Sequence, residues 1–478
     1  MIYDYIVIGS GPTGLACANS IIKSGYSCLV IDQESVPGGC HRVNRVGPEG
    51  LFSEHGPRIY SSSYLNFHAM LKEHDIVGGF KPYKFTIAPS LKSADNTLRQ
   101  SLGVFSVSEL LYINGCYIHS MIDNEYYLSR SVQQIFSHFS QASLDYIDKI
   151  CRLTDGAGAD RYSAYKFFQL INQNMFYEIL EPSLPNDLGW VHNLVSSLEK
   201  KGVRFLMGQP VNSLSKMDGH YILENGVATG KNIIFATPTD TLSKLFPVFN
   251  GIDLEKYNKM SLYETYIPFT LHWNKKLKLK DIWGQGIGPW NIAWVVMSDY
   301  MDDPNTSGTL ISCCISKLNH PSASGKTVNQ CTLEEIKEEV LQQLQPVIGE
   351  NIPDNFIMSP QVYFDGTWKN RDTAYVLTYE NYNIKFPFKM EGENIFSVGT
   401  HNGHSSYYFT TAESSVQNAL VWANTYLPKK QKILTGWTLN MVILILIMLV
   451  AVILLKGVIM RWVGIGQPIV KVLQRWLH

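Results

Sequence analysis

No C-x-x-C pair occurs among the eight cysteines, and no cysteine–histidine cluster has the spacing of a zinc site. The scattered thiols read as reduced residues of a cytosolic body. Charge is scarce as well. Charged residues make up 17% of the 478 and hydrophobic ones 45%, which excludes extended disorder and leaves apolar material for more than one core. The composition excludes collagen-like, coiled-coil and low-complexity classes, and no internal repeat is present. The opening residues, MIYDYIVIG, carry no basic n-region, so they read as a strand and not as a secretory signal. Seven of the 40 basic residues but none of the 41 acidic ones follow Pro428, so the tail is +7 and the rest of the chain −8. A body of that sign argues against nucleic acid as a partner.

What the tail holds instead is a long apolar run. Residues 437–455 read WTLNMVILILIMLVAVILL, with Asn440 the one polar residue from Leu439 to Leu455. At 1.5 Å per residue the run crosses a hydrocarbon core of about 30 Å. Trp437 and Trp462 stand where interfacial anchors stand, and Lys456 and Arg461 where side chains snorkel. The expectation is a basic-flanked C-terminal anchor over 429–478. It would make a single pass through a lipid bilayer, with the body facing the cytosol. The mitochondrial outer membrane and the endoplasmic reticulum both suit such a tail. The closing IVKVLQRWLH reads equally as a membrane-surface helix or a frayed end.

At the other end, YDYIVI (3–8) has a strand pattern and runs into Gly9-Ser-Gly11-Pro12-Thr13-Gly14. LACANSIIKSG then has a helix composition with a stop at Gly25, and SCLVID is a second strand ending at Asp32. Strand, G-x-G-x-x-G, helix, strand and acid in that order predict a dinucleotide site. Gly9 makes the tight turn, Gly11 lets the backbone approach a pyrophosphate, and Gly14 lets helix pack on strand. Pro12 and Thr13 open a helix whose N-terminus favours phosphate. Asp32 is placed to accept from a ribose diol. A second glycine pair follows in Gly38-Gly39-Cys40-His41-Arg42.

That glycine pair resembles the G-G-R segment of flavoproteins, and over less than half of its length, the nucleotide domain, the chain resembles the FAD-dependent amine oxidase superfamily, which includes monoamine, polyamine and protoporphyrinogen oxidases. Besides the N-terminal motif, three segments carry the resemblance: Glu54-His55-Gly56-Pro57-Arg58, residues 188–214 with 232–246 (including Val211 and Ala236-Thr237-Pro238), and residues 394–420. The resemblance implies that Gly38, Gly39, Arg42, Gly56, Pro57, Arg58, Val211, Gly399 and Thr400 join the glycine loop in holding FAD. It also implies that Tyr407 and Tyr408 stand beside the flavin, and that a small-molecule substrate such as an amine gives a hydride to it. Arg58 would meet a phosphate or a substrate carboxylate. His404 and His401 are candidate bases by their near-neutral pKa; as a zinc pair they lack a third ligand, and no metal site is expected.

The departures from the family pattern are specific. Cys40 replaces the G-G-R arginine, Gly399-Thr400 stands for the usual Gly-Glu, and Ser414-Ser415 stands for Ser-Gly. No lysine lies between Leu262 and Trp273, and no cysteine precedes Gly399 where monoamine oxidases tether the flavin. Non-covalent FAD is therefore expected. A second resemblance, to UDP-galactopyranose mutase, rests on Gly56-Pro57-Arg58 and on Gly399 through Tyr407-Tyr408, but lacks the arginine after Gly399. A catalytically degenerate flavin-binding membrane protein is the third reading.

The expected fold is α/β. A Rossmann-type FAD-binding domain, discontinuous in sequence, would be built from 1–75, 190–245 and 360–428. An α+β substrate domain would be built from 76–189 and 246–359, and a C-terminal transmembrane helix would follow.

Overall fold

The computed structural model describes residues 1–84, 103–172, 177–223, 226–263, 266–407 and 410–456. Trp462, Arg461 and the closing amphipathic stretch lie outside them.

The first strand, β1 (Ile2–Ile8), pairs in parallel with β2 (Cys28–Ile31) on one side and with Ala228–Phe235 on the other. Arg204–Leu206 joins in parallel beyond β2, and Ile395–Ser397 beyond Ala228–Phe235. The antiparallel hairpin Leu214–Met217 and His220–Leu223 extends the sheet. The central parallel strands are buried on both faces, which explains why IVI and CLVI run apolar without alternation. Helix α1 (Pro12–Lys23) joins Leu65–Lys72, Trp190–Lys200 and Ala412–Tyr426 over one face. Leu15, Ala16, Ala18 and Ile21 of α1 share one core with Ala412, Val416 and Ala419 of the last of these helices. The carboxylate of Glu413 accepts from the Asn66 side chain at 2.6 Å and from the Phe67 N–H at 2.8 Å, which ties that helix to Leu65–Lys72.

A second, five-stranded antiparallel sheet runs in the order Trp283–Ile287, Ile292–Val296, Thr309–Ile315, Ile267–Trp273, Asn355–Met358. Helix Leu333–Ile348 sets Ile336, Val340 and Leu344 into one core with Trp273, Trp290 and Trp294 of this sheet and its turns. Thr332 and Glu335 form a capping box at its start. Between the sheets in sequence lies a helical block: Val107–Ser120, Asn124–Leu128, Val132–Ile135, Gln141–Asp155 and Ala164–Ile171. Ser106, Asp123, Ser131 and Ser140 cap the first four of these helices, and Gly156 ends the fourth at φ +76°.

The apolar run of the tail forms one helix, Leu439–Lys456, long and apolar enough to cross a membrane, with a mean hydropathy of 2.9. It does not hang from a loose tether. Asn424 exchanges two hydrogen bonds with the Gln431 backbone (2.7 and 2.8 Å), and Asn66 exchanges two with Leu434 (2.8 and 2.9 Å). Asn440, at the head of the helix, donates its N–H to Asn172 at 2.9 Å and accepts from the Tyr117 hydroxyl at 2.5 Å.

Candidate functional site

One cavity of about 1620 Å³ starts at the glycine loop and runs between the two sheets into the helical block. The loop has little room for side chains. Gly9 sits at φ +104°, and a Cβ there would come within 2.6 Å of the Ala236 carbonyl oxygen. A Cβ on Gly14 would land on the carbonyl oxygen of Gly9. Gly39, at φ +56°, would push a Cβ to 2.9 Å from the Gly11 Cα, so the two glycine segments close on each other across a floor of bare backbone. Helix α1 begins beside that floor with Pro12 in its first turn, no side-chain cap and no acidic residue, which leaves its positive end open to an anion. Gly9, Gly11, Pro12, Thr13, Asp32, Gly39 and Arg42 all line the cavity. Gly14 and Gly38 stand behind this surface and shape it. The Asp32 carboxylate is set by Ser10, whose N–H and Oγ donate to it at 2.7 and 2.6 Å, and by the Glu34 N–H at 2.9 Å. Val211, Gly399 and Thr400 are also brought to the cavity wall.

Arg42 is 4% exposed, and its Nη2 lies 3.2 Å from both carboxylate oxygens of Asp372. Burial pushes the Asp372 carboxyl up, but His55 and Arg42 beside it outweigh burial and hold it below the usual range. Nothing in the sequence marked Asp372, which lies 330 residues from its partner. Cys40 lines the cavity, and burial pushes its thiol up to about 11, with Asp372 adding to the shift.

Gly56, Pro57 and Arg58 line the next stretch of wall. The Arg58 Nε stands 4.0 Å from Glu54, and its Nε and Nη2 are buried without a hydrogen-bond partner. Behind Arg58, burial pushes Glu54 up to about 7, although Arg58 and the Ser312 hydroxyl, 2.6 Å away, pull the other way. Glu181, fully buried near Glu54, is likewise pushed up, by burial and by Glu54.

The folded chain therefore keeps the Glu54 proton over the range in which the unfolded chain has lost it. Stability falls as pH rises from 4.5 to 7, by ~3 kcal/mol for this group alone. Glu54→Gln abolishes that contribution. Denaturant unfolding of the variant is expected to gain on the native chain by that amount across the window; a constant difference would refute the assignment.

Tyr407 lines the cavity with its hydroxyl 2.6 Å from the Ser63 Oγ, and burial pushes that hydroxyl up to about 12. Its ring meets Tyr64 edge to face, with centroids 5.6 Å apart. Tyr64 and Tyr266 are cavity residues that the sequence did not single out. Tyr408 lies outside the described residues. The two histidines part company. His401 lines the cavity, bonds the Ser397 Oγ at 2.9 Å and is pushed down to about 3 by burial, so it stays neutral. His404 is not part of the cavity wall; it stacks on Phe388 with ring centroids 4.9 Å apart.

A model of an NAD(P)-binding Rossmann-like domain matches residues 7–74. No curated protein sequence matches the chain. Among solved structures, the chain is similar to a wild-type putrescine oxidase bound to putrescine, with 14% identity, 90% of this chain and 100% of the other covered, and a TM-score of 0.64. A cyclohexylamine oxidase from Brevibacterium oxydans IH-35A follows at 12% identity, 89% and 98% coverage and a TM-score of 0.60. An oxidoreductase from Methanosarcina mazei shows 14% identity, 87% and 99% coverage and a TM-score of 0.54. At these identities the likeness is one of fold, and it extends over nearly the whole body.

Proposed function

With the amine oxidase fold as premise, we propose that this chain is an FAD-dependent oxidoreductase, held at a bilayer by Leu439–Lys456, that takes a hydride from a C–N or C–H bond of a small molecule. The observation that carries the reading is the continuity of the cavity. It joins a bare-backbone dinucleotide floor to a chamber walled by Tyr64, Tyr407 and Arg58. The floor and the open end of α1 fit a pyrophosphate, and Asp32 fits a ribose. Bound FAD supplies the two-electron acceptor. The flavin is held without a covalent bond, since no cysteine lies between Cys331 and Gly399 and the Cys40 thiol stays protonated.

The side chains dictate the form in which substrate reacts. His41 is pushed far down by burial, with Arg58 and His55 adding to it, and His401 is likewise neutral. Neither accepts a proton readily, so an amine has to arrive uncharged. Among the described residues, the acidic ones of the wall are Asp32, Glu34 and Asp240, near the glycine loop and the Ala236–Pro238 turn, and Asp372, committed to Arg42. A second cationic group meets no free carboxylate on the described wall beside Tyr407: Glu413, nearby, is outside that wall and accepts from Asn66, Phe67 and Gln417. An apolar tail, or an acid facing Arg58, is accommodated. The tyrosine pair confines the reacting carbon and helps exclude water.

The test is anaerobic titration of the full chain with an apolar monoamine, a diamine and a porphyrinogen, following visible flavin absorbance. Bleaching by the monoamine or the porphyrinogen, and not by the diamine, is the expected result. A flavin that none of them bleaches, but that turns over a UDP-sugar once pre-reduced, would replace this reading with the mutase-like one. A folded protein without flavin would end it.

A further inference from the structure

Helix Val107–Ser120 presents three faces with three different surroundings. Cys116, Tyr117 and Ser120 are buried in the core of the helical block. Leu110, Ile113 and Asn114 line the cavity. Val107, Leu111 and Ile118, continued just past the helix by Ile122, are 74, 70, 54 and 83% exposed. These four lie one or two helical turns apart, so they form a single stripe. Four large aliphatic side chains in one line are a costly surface in water, at ~1.5–3 kcal/mol for each one left unburied.

The position of the stripe says what covers it. Tyr117, on the same helix, is hydrogen-bonded to Asn440 at the head of Leu439–Lys456, and Asn172 holds the Asn440 N–H. Leu439 and Ile443 pack against the core that Tyr117 belongs to. The far half of Val107–Ser120 is therefore fixed at the level where the apolar helix leaves the body. Lys429 and Lys432, exposed just ahead of that helix, suit an anionic head-group layer at the same level.

We propose that the Val107–Leu111–Ile118–Ile122 stripe lies in the head-group layer of the bilayer that Leu439–Lys456 enters, as a second, in-plane membrane contact. The proposal rests on the anchor reading. It makes one wall of the cavity a partition between lipid and the flavin chamber, with Asn114 and the half-exposed Tyr177 at its rim. Substrates then reach the chamber from the lipid phase, which fits the Leu110, Ile113 and Phe167 side chains that line that end.

The test places an environment-sensitive fluorophore on single added cysteines of the full chain in phosphatidylcholine–phosphatidylserine vesicles. All eight native thiols are buried or half-buried, and the native chain serves as the labelling blank. Leu111→Cys and Ile118→Cys are expected to be quenched by lipids spin-labelled near the head group at least ~threefold more than Met217→Cys, an exposed site on the outermost strand of the large sheet. Ile447→Cys is expected to be quenched by deep-labelled lipid. Deep quenching at 447 without quenching at 111 and 118 overturns this proposal alone. No quenching at 447 removes the anchor and the proposal with it. Protection at 111 and 118 that persists without lipid and grows with protein concentration assigns the stripe to a second copy of the chain, which also overturns the proposal.

Discussion

Gly14→Ala is expected to purify with less than about one-tenth of the native flavin and to lose ~3 kcal/mol of unfolding free energy. The reason is local and steric. The added Cβ coincides with the Gly9 carbonyl oxygen, on a residue already at φ +104° and packed against Ala236. No flexible side chain is available to yield, so the turn or the start of α1 has to move. Either shift opens the floor on which a pyrophosphate rests. The matched control is Gly25→Ala. Gly25 also has a positive φ, +82°, but nothing lies within 4 Å of its Cβ position. That variant is expected to cost ~1 kcal/mol and keep its flavin. The ratio of visible to ultraviolet absorbance, with denaturant melts of both variants, decides the matter. Full flavin in Gly14→Ala would remove the glycine loop from the binding site.

Asp372→Ala is expected to cost ~3–5 kcal/mol, because it leaves the guanidinium of Arg42 buried without its carboxylate. His55 loses the same partner, 3.7 Å away. The pH dependence separates this loss from simple damage to packing. The carboxyl of Asp372 is held below its unfolded value of 3.8, so its stabilisation is complete above that pH and fades as pH falls through the folded value. The native chain is therefore expected to approach the variant in stability under acid and to separate from it towards neutrality. Asp372→Asn, which keeps an acceptor but not the charge, is expected to fall between them. A loss under ~1 kcal/mol in Asp372→Ala would mean that Arg42 turns to Glu34 or Asp32, the other carboxylates acting on it.

The contrast between Gly14 and Asp372 shows what a sequence makes legible. The glycine loop is a local requirement: strand, turn and helix fix each glycine within a dozen residues, so spacing suffices. The apolar helix Leu439–Lys456 is legible for the same reason, since composition over one helix length is enough to mark it. Asp372 meets Arg42 across a separation in sequence that no local pattern reports. His401 and His404 look equivalent as an H-x-x-H pair. The short turn Thr400–Asn402 carries the first into the cavity and leaves the second stacked on Phe388. An amphipathic pattern encodes two surroundings, and helix Val107–Ser120 has three. Tyr64 follows the same logic, because it reaches the site only after the last helix delivers Tyr407 beside it.

The large sheet has a consequence for how the protein is made. Its oldest strand on the ribosome, β1, waits for Ala228–Phe235, and that strand waits for Ile395–Ser397. The helix Ala412–Tyr426, which closes the core over α1, is synthesised only a dozen residues before Leu439–Lys456. Nascent chains therefore carry an incomplete nucleotide domain for almost the whole of translation, with non-local pairings still to form. The apolar helix Leu439–Lys456 is therefore made in the same short interval in which the sheet and its covering helix are completed.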